Sequence, residues 1–460
     1  MAEQIFTKTS RIEALPQTVF QWHVRPGALE RLTPPWESVT MLEKTGQGIE
    51  TGARVRFRIK TGPFNSDWIA EHTEFIENEM FRDRQAKGPF AQWEHTHRFH
   101  PAGETACLLE DTIRYRLPMA PFGPLAAGRF VKRKLERMFT YRHAITRLDI
   151  ADHQAAAPFG PMNVLISGAS GLVGSALIPF LTTGGHRVTR LVRRKTEGAA
   201  DEVFWDPAAG RLDTGNLSGI DTIIHLSGEN IGEGRWTPEK KREILESRIR
   251  GTSLIAETAA KLTPRPKVLV CASAIGYYGN RGECLLSETD QAGGDFISMV
   301  CSEWEKAAQP AAAKGIRVVF ARIGIALTPA GGALKKLLPP FQLGFGGKIA
   351  SGEQYMSWIS MDDVVGAIHF LATRPEVEGP VNLVAPEPVT NREFTRILAE
   401  TFRRPAPFTV PSFAIHLMFG EMGKEIPLSS TRVTPSVLLE RGYRFRHPEL
   451  TGALAHLLGT

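Results

Sequence analysis

Residues 163 to 192 constrain the fold of this chain more than any other stretch. Asn163-Val-Leu-Ile-Ser167 is a short apolar run of strand composition, followed by Gly168-Ala-Ser170-Gly171-Leu172-Val173-Gly174. Ser175-Ala-Leu-Ile-Pro-Phe-Leu181 is a helical continuation that stops at Gly184-Gly185, before a second strand pattern, Arg187-Val-Thr-Arg-Leu-Val192. Strand, glycine turn, helix and strand in that order make a βαβ unit, and the three glycines have separate duties. Gly168 permits a tight turn, Gly171 lets the backbone approach a pyrophosphate, and Gly174 allows helix and strand to pack closely. The helix N-terminus then offers N–H donors and a positive dipole end to the phosphates. The pattern predicts an α/β dinucleotide-binding domain built on a doubly wound parallel sheet. Pro179, well inside the helix, should kink it.

The end of the second strand discriminates between dinucleotides. An acid there would hold a ribose 2′-hydroxyl, whereas this chain reads Leu191-Val-Arg193-Arg194-Lys195. Arginines at this point can pair with a 2′-phosphate, which favours NADP over NAD. The alternative is a solvated basic loop.

A step of three residues from the first glycine to the second, and many motifs downstream, resemble the extended short-chain dehydrogenase/reductases and their atypical "epimerase family". The motifs include Trp205-Asp-Pro207, Asp221-Thr-Ile-Ile-His-Leu-Ser-Gly-Glu-Asn-Ile231, Arg235-Trp236 and Ser273-Ala-Ile-Gly-Tyr-Tyr-Gly279. Trp304-Glu305, Ser357-Trp-Ile359 with Asp362-Asp363, and Ala385-Pro-Glu-Pro-Val-Thr-Asn391 continue the likeness. It spans residues 162–460 and implies a Rossmann domain over 162–410 with a small, mostly helical appended segment over 411–460. It also implies cofactor contacts from Ser170, Leu172 and Val173 in the glycine turn, from Leu226-Ser227-Gly228 at a strand end, and from Glu243 and Arg248 on a helix. The ordinary amphipathic spacing of Ile244, Leu245 and Ile249 explains that helix equally well.

The active site departs from the superfamily rule. Hydride transfer there uses a tyrosine and a lysine four residues on, with a serine on an earlier strand. Ser273 ends the strand pattern Val268-Leu-Val-Cys-Ala-Ser273, but the helix reads Asp295-Phe-Ile-Ser-Met-Val-Cys-Ser-Glu-Trp-Glu-Lys306 and has no tyrosine. Phe296/Val300 and Ile297/Cys301 cannot exchange protons, and Lys306 comes too late. Either Tyr277 or Tyr278 serves as the acid, or the proton step is missing and the domain binds NADP(H) without turnover. Cys301 as a nucleophile lacks a histidine at a partner position. Asp362-Asp363 could face a polar substrate or simply cap the helix that follows. The glycine-rich stretch from Leu337 to Trp358 reads as a loop bordering the substrate cleft, with Gln354 and Trp358 as candidate contacts.

The first 150 residues read differently. Residues 54–60 alternate basic with apolar residues, and 68–76, 93–99 and 106–117 read as further strands between Gly/Pro/Asn turns. A short helix over 16–32 should break at Pro26-Gly27, and a long one over 123–148 places Leu135, Met138, Phe139, Arg142 and Ile145 at steps of three and four. Pro16-Gln-Thr-Val-Phe-Gln-Trp22 and Pro26-Gly-Ala-Leu-Glu-Arg-Leu32 are similar to the opening helices of START-like, polyketide-cyclase-like (SRPBCC) helix-grip domains. The resemblance implies an α+β domain enclosing an apolar ligand between sheet and helix. The alternative is that Trp22, Phe57, Trp68, Trp93 and Phe99 fill a core. From Arg129 to Arg147 the helix has seven Lys/Arg and one acid, Glu136. Such a face suits a membrane surface or an anionic partner, although a solvated face over the sheet explains it as well. Residues 151–161, ending in Pro-Phe-Gly-Pro161, read as a linker.

Composition sets the outer limits. At about 150 residues per domain, 460 residues suggest three units. No run approaches the roughly 18 apolar residues of a membrane span, and Met1 to Ser10 lacks the apolar region of a secretory signal. Cys107, Cys271, Cys284 and Cys301 have no paired spacing, so neither a disulfide framework nor a metal site is expected and a cytoplasmic setting fits. The net charge of +6 divides equally between residues 1–160 and the remainder, which leaves no nucleic-acid-binding arm. Three functional readings stay open: an NADP-dependent oxidoreductase or epimerase acting on a small molecule, a non-catalytic NADP(H) sensor coupled to a ligand-binding domain, and a carrier delivering an apolar substrate to the reductase. Oligomeric state is not legible.

Overall fold

The computed structural model describes residues 3–118 except 47 and 62–63, then 124–194, 196–197, 199–215 and 217–460. Gly123, where the long helix is expected to begin, and Lys195 lie outside the described residues. The chain divides into two compact units. Met1–Pro158 with Thr182–Gly185 and Gly459 make the first; Phe159–Leu181, His186–Leu458 and Thr460 make the second.

The first unit runs β1 (Gln4–Ile12), α1 (Pro16–Val24), α2 (Ala28–Leu32), β2 (Ser38–Lys44), β3 (Arg54–Thr61), β4 (Phe64–Ile76), β5 (Met80–Lys87), β6 (Gln92–Pro101), β7 (Cys107–Arg116) and α3 (Pro124–Ala156). Its strands form one seven-stranded sheet in the order β1-β7-β6-β5-β4-β3-β2, all pairs antiparallel. The helix-grip expectation is met, including the break at Pro26-Gly27, where Gly27 takes a positive φ of 95° that favours glycine. Leu135, Phe139 and Ile145 of α3 are buried, and Phe139 packs on Phe6 of β1 at 5.6 Å. Arg31 on α2 forks onto the buried Asp149 of α3 at 2.8 and 2.7 Å. The opposite side of α3 leaves Arg129, Lys132, Arg133, Arg137 and Arg147 exposed, the solvated face of a helix that covers a sheet.

Two expectations change here. Residues 151–156 continue α3, and a 3-10 turn follows over Ala157–Phe159, so most of the expected linker is helical. Gln154, Ala155 and Ala156 are good helix formers, and they carry the helix on until Pro158 removes an N–H donor. The inner sheet face is also not uniformly apolar. Trp93, Phe99, Leu109 and Ile113 are buried as a core requires, yet His95, His97 and Asp111 are buried among them.

In the second unit, β8 (Asn163–Ser167), α4 (Leu172–Thr183), β9 (Arg187–Val192), β10 (Glu202–Asp206), β11 (Arg211–Leu212), β12 (Thr222–His225), α5 (Pro238–Lys261), β13 (Val268–Ala274) and α6 (Phe296–Lys306) precede strands Arg317–Ile323 and Gly379–Leu383. The sheet order is β11-β10-β9-β8-β12-β13, then Arg317–Ile323 and Gly379–Leu383. It is parallel throughout except at β11. Chain direction across the sheet reverses between β8 and β12, which places a crevice outside their carboxyl ends. Val164, Ile166, Leu177, Phe180 and Ile224 lie in the core beneath it.

The segment from Leu337 to Trp358 is not a free loop. Helix Gly332–Gln342 enters it, Gly347–Ile349 pairs with Phe408–Val410, and Tyr355–Met356 pairs with Val389–Thr390. These strands are too short to leave a visible alternation. Asp363 opens the helix Met361–Thr373, fully buried, and accepts the backbone N–H groups of Arg446 (2.6 Å) and His447 (3.1 Å). Asp362 meets His456 at 3.1 Å. The pair therefore fastens the C-terminal helices to the sheet and does not face a substrate. Among the described residues no helix is long and apolar enough to cross a membrane.

Candidate dinucleotide site

Gly168 follows β8 with φ 72°, and a Cβ there would lie 2.9 Å from the Leu226 carbonyl carbon and 3.0 Å from Ser227 N. Gly171 N–H donates to Gly168 O at 2.9 Å and closes the turn. At Gly174 a Cβ would fall 2.2 Å from Gly168 O and 3.0 Å from Ala169 Cα, closer than any side chain tolerates. The first turn of α4, opened by Leu172 and Val173, is thus seated on the backbone of the glycine loop, which also carries Ser170. Ser167, just below, receives the Leu226 N–H on its Oγ (3.2 Å) and lies 2.6 Å from His225 Nδ1. His225 Nε2 is 3.0 Å from Thr252 Oγ1. Burial, with Arg248 nearby, pushes the His225 pKa down to about 3, so a neutral imidazole ties β8, β12 and α5 together.

The residues expected around this turn separate into two groups. Leu226, Ser227 and Gly228 follow β12 beside the glycine loop, and Arg193 and Arg194 are exposed in the bend after β9. Arg248 lies beneath Gly228, whose Cβ would meet its guanidinium carbon at 3.1 Å. The Arg248 side chain is buried over the Trp304 ring at 4.8 Å and donates to the carbonyls of Glu229 and Ile244, both at 3.0 Å. Burial lowers its pKa from the usual arginine value. Glu243, by contrast, is exposed. Five helical steps separate it from Arg248, or about 140° of rotation, which carries it to the outer face of α5.

The candidate catalytic residues belong to one buried network. Ser273 Oγ donates to Glu305 Oε1 (2.7 Å), and Arg322 grips both oxygens of that carboxylate at 2.9 Å. Arg322 also donates to Tyr278 OH (3.0 Å), which donates in turn to Asn382 Oδ1 (2.7 Å). The guanidinium carbon lies 3.5 Å from the Tyr277 ring centroid. Burial alone would depress Arg322, but the Glu305 carboxylate more than offsets it and holds the guanidinium above its usual range. Tyr278 has no exposed surface, and burial pushes its phenol up to about 12 against the pull of Arg322. It is a core residue, whereas Tyr277 is partly exposed. Cys301 is buried with its thiol pushed up to about 12, which rules out a ready nucleophile.

Gln354 and Trp358 are structural. Gln354 donates to the carbonyls of Ile349 and Pro427, both at 3.2 Å. Trp358 is fully buried and donates to Glu387 O at 3.1 Å. A cleft of about 1160 Å³ lies at the N-terminal end of α6, lined among others by Lys241, Arg281, Asp295, Phe296, Lys424 and Glu425. Glu425 accepts the Ile297 N–H at 3.0 Å and so ties the C-terminal segment to that helix end.

Comparison with known proteins accounts for this arrangement. A family model for the NAD dependent epimerase/dehydratase family matches residues 164–384. The epimerase family protein Mb2239 of Mycobacterium bovis is 41% identical over 293 residues, 64% of this chain and 96% of its own length. The chain belongs to the epimerase family. Human epimerase family protein SDR39U1 is 34% identical over 301 residues, 65% of this chain and all of its own length. Its crystal structure with NADPH gives a TM-score of 0.60 at 32% identity, over 65% of this chain and 99% of that one. A nucleoside-diphosphate sugar epimerase from Corynebacterium glutamicum gives a TM-score of 0.80 at 32% identity, over 99% of this chain and 90% of that one. A polyketide cyclase / dehydrase and lipid transport model matches residues 12–144, and a domain of unknown function matches 410–457.

In this epimerase-family chain the sequence points to Ser273 but not to its partner Glu305, nor to Arg322 and Asn382 further along the network. Trp304-Glu305 is one of the family motifs, yet the arginine that holds Glu305 sits next to the end of strand Arg317–Ile323, where it carries no periodic signal.

Proposed function

We propose that this chain uses NADP(H) in the crevice between β8 and β12 as an epimerase-family oxidoreductase acting on a small polar molecule. The observation that carries the reading is the glycine turn, where added Cβ atoms at Gly168 and Gly174 would strike backbone on both sides. Such a cradle fits a pyrophosphate at the α4 N-terminus. Arg193 and Arg194, exposed and without ion pairs among the described residues, match a 2′-phosphate. NADP(H), when bound, supplies or accepts the hydride. Leu226, Ser227 and Gly228 would border its nicotinamide half, above the buried charge of Arg248. Ser273 would exchange a proton with the substrate oxygen, and Glu305, held in place by Arg322, would receive the Ser273 proton during alcohol oxidation. This division of labour replaces the tyrosine and lysine that α6 lacks. The mixed cations and acids of the cleft at Lys241, Arg281 and Glu425 suit a polar substrate. In support, a relative 32% identical was crystallised with NADPH, and another is described as a nucleoside-diphosphate sugar epimerase.

A second reading is an NADP(H)-binding sensor without turnover. The burial of Tyr278 and the engagement of Ser273 by Glu305 favour it. Transfer of deuterium from C4-deuterated NADPH to a polar metabolite extract separates the two. The enzyme reading expects labelled product with the unmodified chain and none with Ser273→Ala or Glu305→Gln, both still binding NADPH. No labelled product with the unmodified chain supports the sensor. Labelling at full rate in both variants removes Ser273 and Glu305 from the chemistry.

A further inference from the structure

The first unit contains a polar band that neither cofactor binding nor helix-grip packing requires. His72, Asp83 and His95 are direct cross-strand neighbours on β4, β5 and β6. His97, two residues along β6, faces Asp111 on β7. From α3, His143 closes over the band with Nε2 2.6 Å from Asp111 Oδ2. His95, His97, Asp111 and His143 are all at least nine-tenths buried, where unmatched charge and free lone pairs are costly.

The internal geometry fixes which nitrogens are available. His95 Nε2 is 2.9 Å from Asp111 Oδ1, so that nitrogen carries the proton towards the carboxylate. His95 Nδ1 lies 3.4 Å from Asp83 Oδ2, and an ion between them would take the place of the Nδ1 proton. Two ligand atoms each about 2.0–2.1 Å from a tetrahedral ion stand roughly 3.4 Å apart. A carboxylate holding the far nitrogen of a ligating imidazole is the usual supporting arrangement. His97 Nδ1 lies 2.5 Å from Asp111 Oδ1. Asp111 therefore holds this nitrogen as it holds His95 Nε2, which leaves Nε2 as the His97 atom for a ligand. Ligand atoms of Asp83, His95 and His97 all lie within 4.8 Å of one another, so closing the third side needs movements of about 1 Å.

We propose that Asp83, His95 and His97 bind one divalent first-row transition ion inside the helix-grip unit, with Asp111 and His143 orienting the ligands. Two imidazoles and a carboxylate form a donor set for zinc or iron, not for calcium or magnesium. The cysteine pattern gives no hint of it, because the site contains no thiolate. The two carboxylates, Asp83 and Asp111, match the charge of the ion. A fourth position left to a small ligand would make this interior a site for an oxygen-bearing molecule, not a purely apolar one.

The test uses the full chain stripped with chelator and dialysed. It is titrated with ZnCl2 by calorimetry and with CoCl2 by visible absorption. One ion per chain is expected, with cobalt bands of a four- or five-coordinate nitrogen/oxygen site and no thiolate charge-transfer band. Asp83→Asn and His97→Gln should each weaken binding at least tenfold. His456→Gln, in the separate group Asp362, His447 and His456, should leave it unchanged. Absence of saturable binding, a thiolate band, or undiminished affinity in both band variants overturns the proposal. If those variants do not fold, the cobalt spectrum of the unmodified chain decides, since a six-coordinate or thiolate spectrum contradicts the assigned ligands.

Discussion

Gly174→Ala is the smallest change that challenges the dinucleotide site. The added methyl would stand 2.2 Å from Gly168 O, 2.9 Å from Gly168 C and 3.0 Å from Ala169 Cα, all main-chain atoms. Ordinary carbon contacts begin near 3.5 Å, so the loop and the α4 start must separate by about 1 Å. Overpacking of this kind costs about 1–3 kcal/mol of stability. The effect on binding should be larger than one methyl suggests, because in the proposed site the start of α4 would donate N–H groups to a charged phosphate. A hydrogen bond to a charged group is worth about 1.5–3 kcal/mol, and each 1.4 kcal/mol is tenfold in affinity. Losing one such bond predicts NADPH binding weaker by about 10- to 100-fold. Calorimetric titration of the full chain measures this, with a urea unfolding curve as the control for stability. Gly171→Ala, whose methyl would meet only Gly168 O at 3.1 Å, should cost less stability, while NADPH affinity still falls because the backbone there must approach the pyrophosphate. A Gly174→Ala chain with unchanged affinity and unchanged unfolding midpoint would refute the packing argument.

Three further outcomes follow from the same geometry. Glu305→Gln leaves the Arg322 guanidinium buried without its carboxylate, so it should destabilise the chain by about 3–5 kcal/mol, read from denaturant unfolding. Tyr278→Phe removes a hydroxyl that donates to Asn382 and accepts from Arg322; it should cost about 1–3 kcal/mol while NADPH affinity stays unchanged. His225 is buried with its pKa lowered to about 3, below the unfolded value near 6.5. Its contribution is therefore fully present above pH 6.5 and lost as pH falls towards 3, worth about 2 kcal/mol by pH 5. In His225→Gln the pH dependence of unfolding over that window should be shallower, and an unchanged slope would contradict the assignment.

How far the sequence can be read depends on whether a residue's role is local. Gly168, Gly171 and Gly174 announce a turn whose requirements lie within seven residues, and the structure places them as expected. The break at Pro26-Gly27 and the apolar stripe Leu135, Phe139, Ile145 are local in the same sense. β5 escapes the strand pattern because Met80-Phe-Arg-Asp-Arg-Gln85 reads as charged; the half-buried Asp83 that spoils the alternation belongs to the interior polar band. Ser273 is legible from its strand end, but its partner Glu305 and the linked Arg322 and Asn382 come from a helix and two strands that only the sheet order brings together. Gln354 and Trp358 stand out in a glycine-rich stretch, yet their polar groups are spent on carbonyls at Ile349, Pro427 and Glu387. Glu243 lies on the expected helix but on its outer face, a distinction that spacing alone does not make.

The crevice between β8 and β12, with Arg193 and Arg194 exposed after β9, is proposed to prefer the phosphorylated dinucleotide. Parallel titrations of the full chain with NADPH and NADH test it most directly, repeated on the Arg193→Ala/Arg194→Ala double variant at low and physiological salt. The account predicts saturable NADPH binding at least tenfold tighter than NADH, with the preference lost in the double variant while NADH affinity is unchanged. Equal affinity for the two cofactors in the unmodified chain, or no saturable binding of either, would contradict it.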